Sequence, residues 1–245
     1  MIEWRFARGW SERELEERLA RAAGLGRNFR ASWEEMLPGR GWNHYRSDAV
    51  VAREPPGPPL PAGAFQRARV AVENCAFSDP SIVTVHFDPE RPLEGRRMLL
   101  EIRVLGLRYL CAVVVSAVRE EAEAERTLFA FRYDTVGDHI EQGMEWFVLE
   151  KEHATGQVRF RVESRWRPGR FPNWWSRVGF ALLSPHYHRA WHHAAQRRVS
   201  LLARFGSLEP PVPHDGSLVH EGPEVIYETI RGARGGRRDT RASRR

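Results

Sequence analysis

The fold is decided by GDHIEQGMEWFVLEKEHATGQVRFRVES (residues 137–164) and, after Arg167-Pro168, by SRVGFALLSPHYHRAWHHAAQRR (176–198). From Gln157 to Arg165, apolar and charged residues alternate, which is the period of a strand with one buried face. The apolar spacing of three and four residues that follows is the period of an amphipathic helix. This stretch therefore predicts a strand, a strand and a long helix that close a single α+β domain.

Further strands are predicted on the N-terminal side of this stretch. The segment 107–118 is apolar on both faces, which predicts that the sheet is covered on both sides there. Short loops between six or seven strands indicate a strongly curved antiparallel sheet. VIYETI (225–230) is a candidate for a short additional edge strand. The predicted strands of the main sheet are 48–53, 82–87, 97–105, 107–118, 127–133, 144–150 and 157–165.

The C-terminal helix is the predicted cover for the concave face of the sheet. Ser184 is placed to cap it, Pro185 suits its first position, and Gly206 ends it. A separate short apolar helical face is predicted between Phe171 and Val178. The predicted inner side of the long helix carries Tyr187, Ala190, Trp191, Ala194, Leu201, Leu202 and Phe205. The predicted polar side carries Arg189, His192, His193, Gln196, Arg197 and Arg204.

The chain divides into three predicted parts. Capping signatures at Ser11 and at Ser32 indicate two N-terminal helices, so residues 1–42 are predicted to be a helical extension. Residues 43–206 are predicted to be the main domain, with the Pro-rich connector 54–63 leading into a helix. Residues 207–245, rich in Pro, Gly and Arg, are predicted to be a largely disordered tail.

The charge of the chain is concentrated at its C-terminal end. The formal net charge is +6. Residues 231–245 hold seven Arg and one Asp, so they account for the whole excess. A weak contact between this tail and nucleic acid is one interpretation, and a solvated end is the other.

Several protein classes are excluded or disfavoured by the sequence. No apolar run approaches the roughly 20 residues of a transmembrane helix, and the first residues lack a signal-peptide core, so we expect a cytoplasmic protein. Cys75 and Cys111 lie in apolar contexts and are expected to be buried thiols. No GxSxG, P-loop, CxxC or GxGxxG motif is present, and no cofactor is expected.

The C-terminal half resembles the domain-of-unknown-function family nineteen-ninety. The resemblance covers about residues 43–205, and no activity comes with it. Its order of elements is similar to the helix-grip fold of START and Bet v 1-like proteins, which implies an apolar cavity between a curved sheet and a long helix. The residues that carry the resemblance are His139, Glu141, Gly143, Glu145, Phe147, Gly156, Val158, Phe160, Arg167, Pro168, Pro185, Gln196, Arg197 and Arg198.

His139, Glu141 and Glu145 form the sharpest candidate polar cluster. In a strand, residues two apart share a face, and Gly143 is a candidate for a bulge that re-aims Glu145. An imidazole with two carboxylates suits acid–base chemistry or a divalent metal. The alternative is a structural role, in which these groups bond to backbone or pair with an Arg such as Arg167.

Three other sets of residues are candidates for a site. Arg167, Arg197 and Arg198 could clamp a carboxylate or phosphate. Four histidines, His186, His188, His192 and His193, include one pair at metal-ligand spacing, against the alternative of an exposed polar face. The Trp residues near the helix start either line a ligand mouth or pack in the core. The predicted ligand-binding residues are Arg167, Trp166, Trp175, Trp191, Tyr187 and Phe160.

Three functional hypotheses follow from the sequence. The first is a binding module for a hydrophobic or aromatic small molecule in a cavity between sheet and helix. The second is an enzyme that uses His139, Glu141 and Glu145. The third is an interaction protein that contacts nucleic acid through its Arg-rich tail.

Overall fold

The computed structural model describes residues 3–209 and 222–233. Within these ranges it has nine strands and three α-helices. In chain order they are β1 Glu3–Phe6, α1 Glu12–Ala22, β2 Asn43–Arg53, α2 Ala64–Glu73, β3 Val83–Phe87, β4 Arg97–Val104, β5 Leu107–Ala122, β6 Arg126–Thr135, β7 Glu141–Glu152, β8 Gln157–Pro168, α3 Trp174–Phe205 and β9 Ile226–Ile230.

All nine described strands form one antiparallel sheet in the order β3-β4-β5-β6-β7-β8-β2-β9, and β1 pairs with the first half of β5. The sheet curves around α3, so the chain has a helix-grip fold and the predicted fold class is confirmed. β7, β8 and α3 are the strand, strand and long helix that the sequence predicts to close the domain. The strand count exceeds the predicted six or seven because β1 and β9 extend the sheet, and β9 matches the predicted edge strand.

α3 is longer than predicted. It is continuous from Trp174 to Phe205, with Pro185 inside it. The prediction that Ser184 caps it is wrong, because Asn173 caps it instead and accepts a hydrogen bond from the Ser176 N–H at 2.8 Å. The turns before Pro185 are held by tertiary packing, since the Phe180 ring lies edge-on to Trp166, 5.7 Å between centroids. This packing outweighs the local tendency of proline to begin a helix.

The sheet is covered on both faces, as the apolar segment 107–118 predicts. On the concave face, α2 and α3 pack over the main core, to which β5 contributes Val113 and Val115. On the convex face, α1 covers Leu110 and Ala112. Cys75 and Cys111 are free, buried thiols, and burial raises the pKa of each to about 12.

The described ends of the chain join the central sheet. β1 belongs to the predicted extension 1–42 and β9 to the predicted tail 207–245, yet both pair with strands of the main domain. The capping box at Ser11 is present and begins α1. The second capping signature, at Ser32, begins no α-helix, and a short 3-10 turn at Pro38–Arg40 follows it. The predicted disorder of the tail concerns mainly residues 210–221 and 234–245, which lie outside the described residues.

Candidate functional site

A cavity of about 250 Å³ lies between the concave face of the sheet and α3. Most of its wall is apolar. β3, β4 and β5 supply branched aliphatic side chains, and Met98, Leu100, Ile102 and Val104 line it from one face of β4. α3 closes the opposite side with aliphatic and aromatic residues. Those from α3 are Trp175, Phe180, Leu183, Tyr187 and Trp191.

A polar wall interrupts this apolar lining where β7 faces α3. Glu141 begins β7, and its Oε1 lies 2.8 Å from Nε2 of His188 on α3. The His188 ring stacks on Trp166, 4.8 Å between centroids and 6° between planes. Burial alone would raise the pKa of Glu141, but the charge and hydrogen bond of His188, together with His139, outweigh it and the pKa is lowered. Burial lowers the pKa of His188, and the charge and hydrogen bond of Glu141, together with the Glu145 charge, more than reverse this, so the pair is held ionised.

Glu145 lies four residues after Glu141 in β7, so its side chain projects from the same face of the sheet. The Tyr133 hydroxyl on the neighbouring β6 donates a hydrogen bond to its Oε2. Burial raises the pKa of Glu145 to about 7 despite that bond. Burial and the Glu145 charge also raise the pKa of Tyr133 well above its ordinary value. The cavity wall therefore carries one carboxyl group that can change protonation near neutral pH.

A chain of neutral hydrogen bonds supports the Glu145 side of the wall. Gln196 Nε2 donates to Ser47 Oγ at 3.1 Å, and Ser47 Oγ lies 2.8 Å from Nδ1 of His192. This arrangement lets the Ser47 hydroxyl donate to Nδ1, which leaves the His192 proton on Nε2, 3.8 Å from Glu145 Oε1. Burial lowers the pKa of His192 to about 3, so its ring is neutral.

His139 precedes β7 and also lines the cavity. Its Nδ1 accepts a hydrogen bond from the Glu141 N–H at 2.9 Å, and its Nε2 is buried without a hydrogen-bond partner among the described residues. Burial lowers the pKa of His139 to about 4. The neutral ring therefore carries its proton on Nε2.

The structure gathers His139, Glu141 and Glu145 on one wall, but not in the predicted way. β7 and β8 pair in unbroken register through Gly143, so the predicted bulge is absent. Gly143 is required because a Cβ there would collide with the Arg165 carbonyl oxygen and the Trp166 backbone. The side chains also have partners other than Arg.

The predicted ligand-binding residues separate into two groups. Trp166, Trp175, Trp191 and Tyr187 line the cavity. Phe160 is fully buried in the main core and is not part of the lining. Arg167 is exposed, bonds to Gln142 at 2.8 Å and lies over the Trp42 ring, so it reaches neither the cavity nor the carboxylates.

The Arg and His residues of α3 that the sequence offers as site candidates also separate, into exposed side chains and side chains with partners inside the fold. Arg198 donates to the Ala76 carbonyl at 3.0 Å, and Arg197 is exposed. His186 and His193 are exposed, whereas His188 and His192 face inward, which contradicts the predicted polar face. Over the described ranges, no group of three or more His, Cys, Asp or Glu is placed to hold a metal ion.

Sequence reasoning missed several members of the polar wall. Tyr133 lies in an ordinary alternating strand, and Ser47 is separated from His192 by 145 positions in the chain. The inward placement of His192 and Gln196 puts polar side chains on the face that hydropathy assigns to solvent. The i, i+4 spacing of His188 and His192 was the one available signal.

The model of the family described as Domain of unknown function (DUF1990) matches residues 27–200. The chain belongs to the DUF1990 family. The DUF1990 match includes the residues of the polar wall and of the hydrogen-bond chain that supports it, which are Ser47, Tyr133, His139, Glu141, Glu145, His188, His192 and Gln196. Among curated proteins, none matches this chain in sequence.

Several solved structures are similar to this DUF1990 protein in backbone. A hypothetical protein from Helicobacter pylori has 13% identity and a TM-score of 0.43, covering 73% of this chain and 98% of its own. A Thalictrum flavum norcoclaurine synthase point mutant, in complex with a transition state analogue, has 10% identity and a TM-score of 0.40, covering 66% and 92%. Human STARD10 has 10% identity and a TM-score of 0.35, covering 78% and 81%.

Two sequence predictions lie outside the cavity: the absence of a transmembrane helix and the contact of the Arg-rich tail with nucleic acid. Within residues 3–209 and 222–233, no helix is long and apolar enough to span a membrane. Most of the Arg-rich tail, residues 234–245, lies outside the described residues. Contact of the tail with nucleic acid therefore stays a prediction.

Proposed function

We propose that this DUF1990 domain binds a hydrophobic small molecule in the cavity between the sheet and α3. The cavity itself carries the proposal. Protein interiors are close-packed, so a space of about 250 Å³ within one domain sets this region apart from the rest of the core. A space lined by aliphatic and aromatic side chains with a few convergent polar groups is typical of a ligand site.

Gly179 on α3 allows a direct test. It lines the cavity, and a Cβ added there meets no atom within 4 Å. Gly179→Phe should place its ring in part of this space, and Gly179→Ala, whose Cβ meets no atom, is its matched control. Both changes should raise helix stability, Ala by about 0.5–1 kcal/mol, because glycine is unfavourable inside a helix.

The measurement is calorimetric unfolding with a panel of apolar compounds of six to twelve carbons, together with native mass spectrometry. A ligand at 100 times its Kd should stabilise the wild type by about 2.7 kcal/mol. The Ala variant should respond equally, and the Phe variant should lose most of the response. If no compound stabilises the wild type and no small molecule co-purifies, the proposal is wrong.

Acid–base chemistry on the bound molecule is a second candidate function. It is favoured by Glu145, whose pKa of about 7 suits proton transfer at neutral pH, and by the neighbouring Glu141–His188 pair. Glu141→Gln should then keep the fold while changing ligand affinity, because it removes the charge that holds His188 protonated. Unchanged ligand affinity in the folded Glu141→Gln variant, by the same calorimetry, would contradict the role of Glu141.

A further inference from the structure

The charges on the cavity wall do not balance. Among the described residues that line the cavity there are two carboxylates and two imidazoles, and neither Lys nor Arg. This is notable in a chain that carries 38 Lys and Arg residues, more than its 32 Asp and Glu. Glu141 is paired with His188. Glu145 therefore has no cation of its own.

The oxygens of Glu145 are not equally satisfied. Oε2 accepts the hydrogen bond from Tyr133. Oε1 has no hydrogen-bond partner among the described residues, and Nε2 of His192 stands 3.8 Å away, beyond bonding distance. The side chain is only 9% exposed and it lines the cavity, so this oxygen is within reach of a molecule bound there. A carboxylate oxygen that is largely shielded from solvent gains free energy when a ligand donates a hydrogen bond to it.

Three groups that face Glu145 stay neutral between pH 5.5 and 8, while the pKa of His188, which burial alone would lower, is raised by Glu141 and Glu145. His192 and His139 are neutral over this range, since their pKa values are lowered to about 3 and about 4. The Tyr133 phenol is neutral because its pKa is raised. Within the described structure the facing groups are Tyr133 from β6, His139 and Glu141 beside it, His188 and His192 from α3, and Tyr227 from β9.

We propose, resting on the proposed function, that the ligand is an apolar molecule with a single protonated amine, which donates to the free oxygen of Glu145. An ammonium supplies the missing cation and has three donors and no acceptor. Aromatic rings of Tyr133, Phe147 and Trp191 line the same region, with Tyr133 and Phe147 5.4 Å apart, and can stabilise a cation over their faces. The aliphatic wall formed by β3 and β4 takes the apolar body.

The test compares three ligands that differ only in their head group. Octylamine, 1-octanol and octanoate are titrated into the full chain by isothermal calorimetry at pH 8, where Glu145 is ionised. Octylamine should bind at least about tenfold more tightly than either of the others. At pH 5.5 its affinity should fall about 30-fold, because only the small ionised fraction of Glu145 is then competent. Octanol should not change.

Glu145→Gln keeps the size of the side chain and removes its charge. This variant should bind octylamine and octanol with affinities within about threefold of each other. Glu163→Gln is the matched control, because Glu163 is on β8 with its side chain outside the cavity. It should keep the full preference for the amine.

The outcomes separate the two proposals. Equal binding of all three ligands, or tightest binding of octanoate, overturns the amine inference and leaves the hydrophobic cavity in place. Failure of all three to bind counts against both. The wild-type comparison and its pH dependence decide the matter even if Glu145→Gln fails to fold.

Discussion

At the scale of single residues, three buried groups on the polar wall have displaced pKa values that act on stability in opposite directions. His139 and His192 have pKa values of about 4 and about 3 in the folded protein, against about 6.5 in an unfolded chain. Between pH 5 and 6 the unfolded state therefore binds about two more protons at these positions. Glu145, at about 7 folded and 4.5 unfolded, binds about one more proton in the folded state.

The net difference is about one proton in favour of the unfolded state, so stability rises with pH between 5 and 6. We expect the free energy of unfolding to increase by about 1.4 kcal/mol per pH unit in this window. Glu145→Gln removes the opposing contribution and should roughly double the slope. Urea unfolding at pH 5.0, 5.5 and 6.0 measures it, with His186→Asn, an exposed histidine, as the control. Equal slopes in wild type and Glu145→Gln would refute the raised pKa.

The same scale shows why the site could be predicted only in part. His139, Glu141 and Glu145 were identifiable because they are ionisable residues only a few positions apart, at the start of β7 and just before it. Their partners were not, because the nearest abundant counter-ion in sequence is Arg, and Arg167 points away from the cavity towards Gln142 and Trp42. The pairing with His188 depends on which side of α3 faces β7, and this is set by packing across 47 residues of chain.

At the scale of elements, one buried ion pair holds the Pro-rich connector between β2 and α2. Lys151 on β7 is fully buried, and its Nζ donates to Glu54 at 2.7 Å and to the carbonyls of Pro55 and Pro58 at 3.2 and 3.0 Å. Glu54 also accepts from the Leu60 and Phe65 amides. The pair therefore fixes a segment that has no helix or strand of its own.

Lys151→Met should destabilise the fold by about 3–5 kcal/mol, because it leaves the Glu54 carboxylate buried without its cation. The double variant Lys151→Met with Glu54→Gln should recover part of this loss, since it removes the unpaired charge. Equilibrium urea unfolding gives both values. A single variant as stable as the wild type would show that the pair does not hold the connector.

α3 shows what local sequence signals can and cannot decide. The end at Gly206 followed from its left-handed backbone preference, and φ there is 69°. The start was misplaced by about ten residues, because Ser184-Pro185 is a strong local beginning signal. The earlier turns exist because Phe180 packs on Phe171 and Trp166, contacts that a hydropathy pattern does not contain.

At the scale of the whole molecule, the helix-grip arrangement was predictable because each level of the sequence agrees with it. Alternation in β8, two-faced apolarity in β5 and a long helix at the end leave few other ways to bury these faces. Of the two additional strands, β9 matches the predicted edge strand 225–230, whereas β1 was not predicted. β1 is only four residues long and pairs far along the chain with β5, so its place is decided by the sheet it joins.

The single, fully buried Lys151 has a consequence for how the molecule can be regulated and handled. Every other basic side chain apart from histidine is a guanidinium, which keeps its charge at any physiological pH and is not a target of acetyl transfer to lysine. Lysine acylation, whether enzymatic or by an amine-reactive reagent, therefore finds no side chain on the folded surface. Reaction at Lys151 would instead report opening of the connector.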